Sequence, residues 1–292
     1  MEGILNWGID VILQIQKLSP AMDVPFTGIT FLGSEPFFLL FLPAIYWCVD
    51  RGLGVRLAVL FLVSTWINSA VKVFAGQPRP QEYDSRVKPI GTEEGNGFPS
   101  GHTQNAVVLW CYLAFYFKKP WFWAVAAALM ILIPFSRMHL GVHFPTDLFG
   151  GYVIGAVVLF AFMLIEPSVG KWLYEKGAWI TIACVVIASA LLLWLSPDND
   201  KGCISSASTL MGMGIGFVLE RRMVRFSPSN LIWKRIAGYI LGVVVIVGLW
   251  GGLKAAFAGM EPGTLFRFIR YFLVGLWCAF GAPWVFVKIK LA

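Results

Sequence analysis

Residues 99–117 read PSGHTQNAVVLWCYLAFYF, with the tetrad Pro99-Ser100-Gly101-His102 at the mouth of an apolar run, residues 103–117, that reads as a membrane span. Ser100 is placed to cap this helix, which leaves the first backbone N–H groups directed at whatever anion lies there, and Gly101 lets the backbone come close. An ordinary cap and a turn glycine account for Ser100, but not for a histidine on the next turn. Outward from the tetrad lie Lys72, Arg79, Ser136-Arg137, His143 and Asp147, and all three histidines of the chain fall between residues 72 and 147. Ionisable groups this scarce elsewhere and this clustered here point to a reaction site at a membrane surface.

The 292 residues are 58% hydrophobic and 13% charged, with a mean hydropathy of +0.73. A soluble domain is charged at about a quarter of its positions, so the chain reads as an integral membrane protein. The net charge of +7 raises nucleic acid as a partner. The basic residues, however, flank apolar runs and form no stripe with aromatic interleaving, so no nucleic-acid partner is expected. The five cysteines are widely separated, without C-x-x-C spacing, and read as small buried hydrophobes rather than a disulfide framework or a zinc site. Met1-Glu2-Gly3 lacks a basic leader region, and no cleavable signal peptide is expected.

Residues 1–28 read as an interfacial helix and turn, because 4–18 have helical apolar spacing yet keep Asp10, Gln14, Gln16 and Lys17. Spans are predicted at about 29–49, 55–75, 103–117, 121–136, 146–165, 178–196, 204–219, 233–253 and 265–287, with an interfacial connector at 167–177 carrying Trp172 and Tyr174. The expected fold is therefore an all-α, polytopic transmembrane bundle of about nine spans. Gly151 and Gly155, like Gly212, Gly214 and Gly216, have the small-residue spacing of close helix packing rather than of a phosphate loop. With nine spans, the loops on the side of the polar cluster hold seven further Lys and Arg, and those on the opposite side hold thirteen. The positive-inside rule then turns the cluster away from the cytoplasm.

Chemistry follows from the residue types. A lone Lys72 at a span end is most simply a snorkelling anchor; its recurrence with Arg79 and Arg137 changes the reading. Asp147, four residues after His143, is within reach of one ring nitrogen and would leave the other as a free lone pair. Three cations, a helix N-terminus, two histidines and a carboxylate suit a dianionic tetrahedral group, with neutralised oxygens, an in-line nucleophile and an acid for the leaving oxygen.

In order and spacing, Lys72-x6-Arg79-Pro80, Pro99-Ser100-Gly101-His102 and Ser136-Arg137-x5-His143-x3-Asp147 resemble the three signature motifs of the type 2 phosphatidic acid phosphatase (PAP2) superfamily. The resemblance covers residues 25–166. It implies a phosphatase core at 29–166, with His143 as nucleophile forming a phosphohistidine, Asp147 orienting it, and His102 protonating the leaving oxygen. Lys72, Arg79, Ser100, Gly101 and Arg137 would bind phosphate. No metal or cofactor is implied. His139 lies outside the signature and reads as a supporting or loop residue. Residues 178–292 form a C-terminal transmembrane extension to which the motifs assign no role.

Three alternatives stay open at this level: a metal-dependent hydrolase, a transporter, and a phosphatase coupled to transport or partner docking through residues 178–292. His139, His143 and Asp147, spaced four apart, would stack as metal ligands on an unbroken helix, against which Gly141 and Pro145 argue. A lipid or solute transporter would need only the basic pocket and not the His143–Asp147 pair. The expected substrate is a lipid phosphate or pyrophosphate entering from the bilayer, polyprenyl diphosphate first and glycerophospholipid phosphates next. The basic loop from Arg221 to Arg235 is expected to touch anionic lipid headgroups. Compactness and short loops point to a bacterial cytoplasmic membrane with the site facing outward.

Overall fold

The structure, a computed structural model, describes residues 2–260 and 262–292, and every regular element among them is helical. Met1, where the absence of a cleavable leader is expected, lies outside the described residues. The chain divides into two compact units, one built from residues up to Phe38 together with Ile67–Phe162, the other from Leu39–Trp66 together with Met163–Ala292. The predicted site lies in the first.

Helix α1 (Glu2–Ile15) buries Leu5, Ile9 and Ile12, spaced on one face, against Val87 and Phe144. Helix α2 (Asp23–Phe31) and helix α3 (Glu35–Ala44), which continues through a π-helical turn to Val49, are bent by 47° at the break between them. Asp50 then stops the chain, and its Oδ1 accepts from the Leu53 amide at 2.6 Å, capping α4 (Arg51–Ala75). The connection foreseen at Asp50-Arg51-Gly52 thus shrinks to one residue. A short helix α5 (Pro80–Tyr83) precedes an irregular loop to Pro99, and α6 (Gly101–Phe117) ends at Lys118, whose left-handed φ of 53° closes it before Pro120 starts α7 (Pro120–His139).

Helix α8 (Pro145–Lys176) runs unbroken through the stretch read as a connector, until Gly177, at φ +84°, turns the chain into α9 (Ala178–Trp194). The second unit continues with α10 (Lys201–Leu219), capped by Asp200, then α11 (Ile232–Val247), α12 (Leu253–Ala256), α13 (Gly263–Leu276) and α14 (Ala282–Lys288). Small residues let α10 and α13 touch: a Cβ on Gly212 would stand 2.1 Å from the Phe272 carbonyl oxygen.

Among the described residues six helices are long and apolar enough to cross a membrane, and seven if the bent α2–α3 pair is one span. The expectation of about nine differs by two helices, α6 and α9, which have 17 residues each. At 1.5 Å per residue such a helix reaches about 25 Å, short of a hydrocarbon core of about 30 Å. Helix α6 is further depleted by four polar side chains in a row, His102-Thr103-Gln104-Asn105.

On α8, Phe149, Val153, Val157 and Phe160 form an outward stripe, 47–71% exposed, while Asp147, Gly151 and Gly155 are buried on the opposite face. A stripe of that size is stable against lipid and not against water. The buried face packs on α6, because a Cβ at Gly151 would lie 2.7 Å from the Ser100 carbonyl oxygen and 2.9 Å from Thr103 Cβ. Main chain cannot yield as a flexible side chain does. Gly151→Val is expected to cost about 1–3 kcal/mol or more and to lower the thermal midpoint of the detergent-solubilised protein; an unchanged midpoint would refute the packing argument.

Candidate active site

Three helix beginnings and two helix ends supply the polar residues. Lys72 sits in the last turn of α4, Arg79 caps α5, Arg137 is on the last turn of α7, and His143 is in the Leu140–Phe144 connection before α8. That connection exists because Gly141, at φ +70°, takes a backbone conformation closed to most side chains and comes within 3.2 Å of the Lys88 carbonyl, measured from where a Cβ would stand. Pro145 starts the new helix, which puts Asp147 in its first turn, two residues on.

Asp147 is fully buried and fully engaged. Its Oδ2 accepts from His143 Nδ1 (3.1 Å) and from the Phe144 amide (2.9 Å), and its Oδ1 accepts from Gln77 Nε2 (2.6 Å). With Nδ1–H held by the carboxylate, the lone pair of His143 is left on Nε2. The Asp147 carbonyl also accepts from the Ser100 amide at 2.9 Å, tying the start of α8 to the cap of α6. Ser100 Oγ accepts from the Thr103 amide and hydroxyl at 3.4 and 3.0 Å. Gly101 brings α6 against α4, with Asn68 Oδ1 3.0 Å from the place of a Cβ, and Asn68 donates to Gln104 Oε1 at 2.8 Å. His102 packs against Gly33 and lies close enough to His143 to act on its charge.

The three cations are buried or nearly so. Lys72 Nζ donates to the carbonyls of Asn96 (2.7 Å) and Gly97 (3.2 Å). Arg79, 2% exposed, donates from Nε to Gly95 O, from Nη1 to Val142 O and from Nη2 to Glu94 O, at 2.8–3.0 Å. Arg137, also 2% exposed, donates to Thr30 Oγ1 at 2.9 Å and to the Glu93 carboxylate.

Burial first, and then the positive charges of Lys72, Arg137 and Arg79 with His102 beside them, push His143 well below the ordinary histidine range. The neutral ring is the form with a free Nε2 lone pair, and acid removes it. Since the folded-state value is depressed, a reaction that uses this lone pair persists as pH falls through about 6.5, the value of an unperturbed histidine, and is lost only below. A plot of kcat/KM against pH, which reports the free protein, with its acid midpoint at or above that value would contradict this geometry.

All eight residues singled out from the sequence lie in this one unit, and His102, His143, Asp147, Lys72, Arg79 and Arg137 act on one another there. His139 ends α7, with Nε2 2.8 Å from Asp23 Oδ1 and its ring 4.8 Å from that of Phe26. It therefore faces α2 rather than joining His143 and Asp147 on a common helix face. Among the described residues no three His, Cys, Asp or Glu side chains are grouped to hold a metal ion. Gln77, Glu93, Thr30 and Asn68 were not foreseen. Asn68, four residues before Lys72 on α4, had a readable signal in that spacing; the other three had none.

Fold and site together define an integral membrane protein with a cation-rich polar centre buried at its helix ends. Residues 53–171 match the family model of the PAP2 superfamily, and residues 204–292 match that of the PAP2 superfamily phosphatase, transmembrane extension. The chain belongs to the PAP2 superfamily. It is 26% identical over 227 residues to lipid phosphate phosphatase delta of Arabidopsis thaliana, a match covering 72% of this chain and 55% of that one. It is 27% identical over 154 residues to phosphatidylglycerophosphatase B of Bacillus subtilis (strain 168), covering 48% of this chain and 73% of the relative. The chain thus spans only about half the length of the plant relative. Among solved structures, LpxE of Aquifex aeolicus aligns over 53% of this chain and 93% of its own, at 27% identity and a TM-score of 0.48.

Proposed function

We propose that this protein is a membrane phosphatase that removes phosphate from a lipid phosphate or pyrophosphate through a phosphohistidine. The observation that carries the reading is the His143–Asp147 pair set among three cations: binding alone needs the cations, whereas an oriented imidazole with a free lone pair is the equipment of a nucleophile. His143 Nε2 attacks phosphorus, the P–O bond to the lipid breaks, and the departing oxygen takes a proton from His102. Water then attacks the phosphohistidine while giving a proton to His102; the P–N bond breaks, inorganic phosphate leaves, and both histidines return to their starting forms. Lys72, Arg79, Arg137, Ser100 and the backbone at Gly101 neutralise the phosphoryl oxygens.

Names of relatives support the lipid class, since one is a lipid phosphate phosphatase and another a phosphatidylglycerophosphatase. A site at helix ends is reached by a lipid headgroup without the tail leaving the bilayer. Polyprenyl diphosphate or phosphate is the leading substrate and glycerophospholipid phosphate the next, in a bacterial cytoplasmic membrane with the site outward. In that arrangement residues 29–166 form the core, the short helices α6 and α9 complete nine spans, and Arg221–Arg235 contacts anionic lipid. The transporter reading drew its motive from the C-terminal spans. That motive weakens, because the same residues resemble an extension borne by PAP2 phosphatases.

The test is phosphate release by detergent-purified protein from polyprenyl diphosphate, phosphatidic acid and phosphatidylglycerophosphate, with chelator present throughout. Turnover of at least one, undiminished by chelator, is expected. Loss with chelator and rescue by zinc would overturn the phosphohistidine route, and no turnover on any of them would overturn the lipid class.

A further inference from the structure

One short segment, Glu93–Gly97, engages all three cations assigned above to phosphate. Backbone carbonyls of Glu94, Gly95, Asn96 and Gly97 take N–H groups of Arg79 and Lys72. Glu93 contributes its side chain to the charged groups, one carboxylate oxygen pairing with Arg137 Nη2 and the other 3.9 Å from Arg79 Nη2, while the Asn96 side chain donates to the Lys72 carbonyl. The Glu93 side chain is 31% exposed, against 2% and 3% for the two arginines it bridges, so it keeps an open route to solvent.

The fit of this carboxylate is incomplete. Arg137 Nη1 goes to Thr30, and Arg137 Nε is buried with no acceptor among the described residues. Glu93 therefore meets the guanidinium through Nη2 alone and leaves Nε–H, on the same edge, without an acceptor among the described residues. A phosphate has the oxygens to fill both. Charge points the same way: a phosphate dianion brings Arg137 and Arg79 one more negative charge than the Glu93 carboxylate it replaces. The backbone has room for the exchange, since nothing lies within 4 Å of where a Cβ would stand at Gly91 or Gly95, and both have positive φ.

We propose that Glu93 is a displaceable counter-anion, seated between Arg137 and Arg79 until a phosphate dianion drives it out, and that it sets how tightly the site takes phosphate. The proposal rests on the phosphatase reading above for the identity of the anion.

The experiment is calorimetric titration of inorganic phosphate into the purified full-length wild type, Glu93→Gln and Arg137→Ala, with KM and kcat measured alongside. Glu93→Gln keeps the shape and removes the competing charge. Phosphate affinity is expected to rise on the order of tenfold, as for loss of a charged hydrogen bond, and KM to fall by more than kcat changes. Arg137→Ala is expected to lose phosphate binding. Unchanged or weaker binding in Glu93→Gln would overturn the proposal, because Glu93 would then brace Arg137.

A measurement on the wild type needs no variant to fold: carbodiimide labelling of Glu93, followed by mass spectrometry, is expected to quicken at saturating phosphate. Equal or slower labelling refutes displacement. Phosphate binding without hydrolysis of any ester would defeat the phosphatase reading while the Glu93 comparison still stands. Hydrolysis with Glu93→Gln unaltered would defeat only the role of Glu93, and absence of phosphate binding would defeat both.

Discussion

His143→Ala is expected to lower phosphate release by at least about a thousandfold, the scale on which removal of a nucleophile acts, in protein that remains folded. The folding part of this expectation follows from what the imidazole leaves behind. Asp147 loses one partner at Oδ2 but keeps the Phe144 amide there and Gln77 at Oδ1, so the carboxylate is not orphaned. The lost hydrogen bond then costs about 1–3 kcal/mol. The chemical part follows from position: no other histidine is oriented by Asp147, and His139 is turned toward Asp23. Size-exclusion profile and thermal midpoint report the fold, and acid-stopped mass spectrometry of the wild type reports a phosphate adduct on His143. A variant retaining a tenth of the wild-type rate would sink the assignment.

Asp147→Asn is expected to reduce kcat by about 100- to 10,000-fold, the range seen when the carboxylate orienting a catalytic histidine becomes an amide. Asparagine is the informative replacement because the fold can accept it. Its carbonyl can take the place of Oδ2, receiving from His143 and the Phe144 amide, while its NH2 faces Gln77, whose amide turns over to present Oε1. Each hydrogen bond survives, and only the negative charge is lost. That charge steadies the cationic ring that forms as His143 bonds to phosphorus, so the loss falls on kcat more than on KM. Near-normal kcat in folded Asp147→Asn would make Asp147 a structural residue, holding the α8 start to Ser100 through its backbone alone.

The signature residues were legible because they are chemically out of place: charged or imidazole side chains at the ends of apolar runs. Helices were legible for the complementary reason: the predicted spans fall on helical chain, except that 29–49 is broken at residues 32–34 and 178–196 overruns α9 by two residues. Span number was less so, because α6 spends its first turns on polar side chains that serve the site, and a length count sees only their polarity. The bend between α2 and α3 falls at Gly33-Ser34, with Pro36 just beyond, whereas the π-helical turns at Ile45–Val49 and Glu220–Val224 leave no periodic trace. Glu93 and Thr30 were illegible for another reason. Each reaches Arg137 across a long sequence separation, from a loop and from a separate helix, so that neither spacing nor composition marks it.

Five main-chain carbonyls, those of Glu94, Gly95, Asn96, Gly97 and Val142, hold Lys72 and Arg79 in place. A carbonyl is the same group whatever side chain its residue bears. Ancestry can therefore rewrite the letters of this loop so long as its path is kept, and chains about one quarter identical can cradle their cations alike. Comparison of residues column by column will understate how firmly that path is fixed.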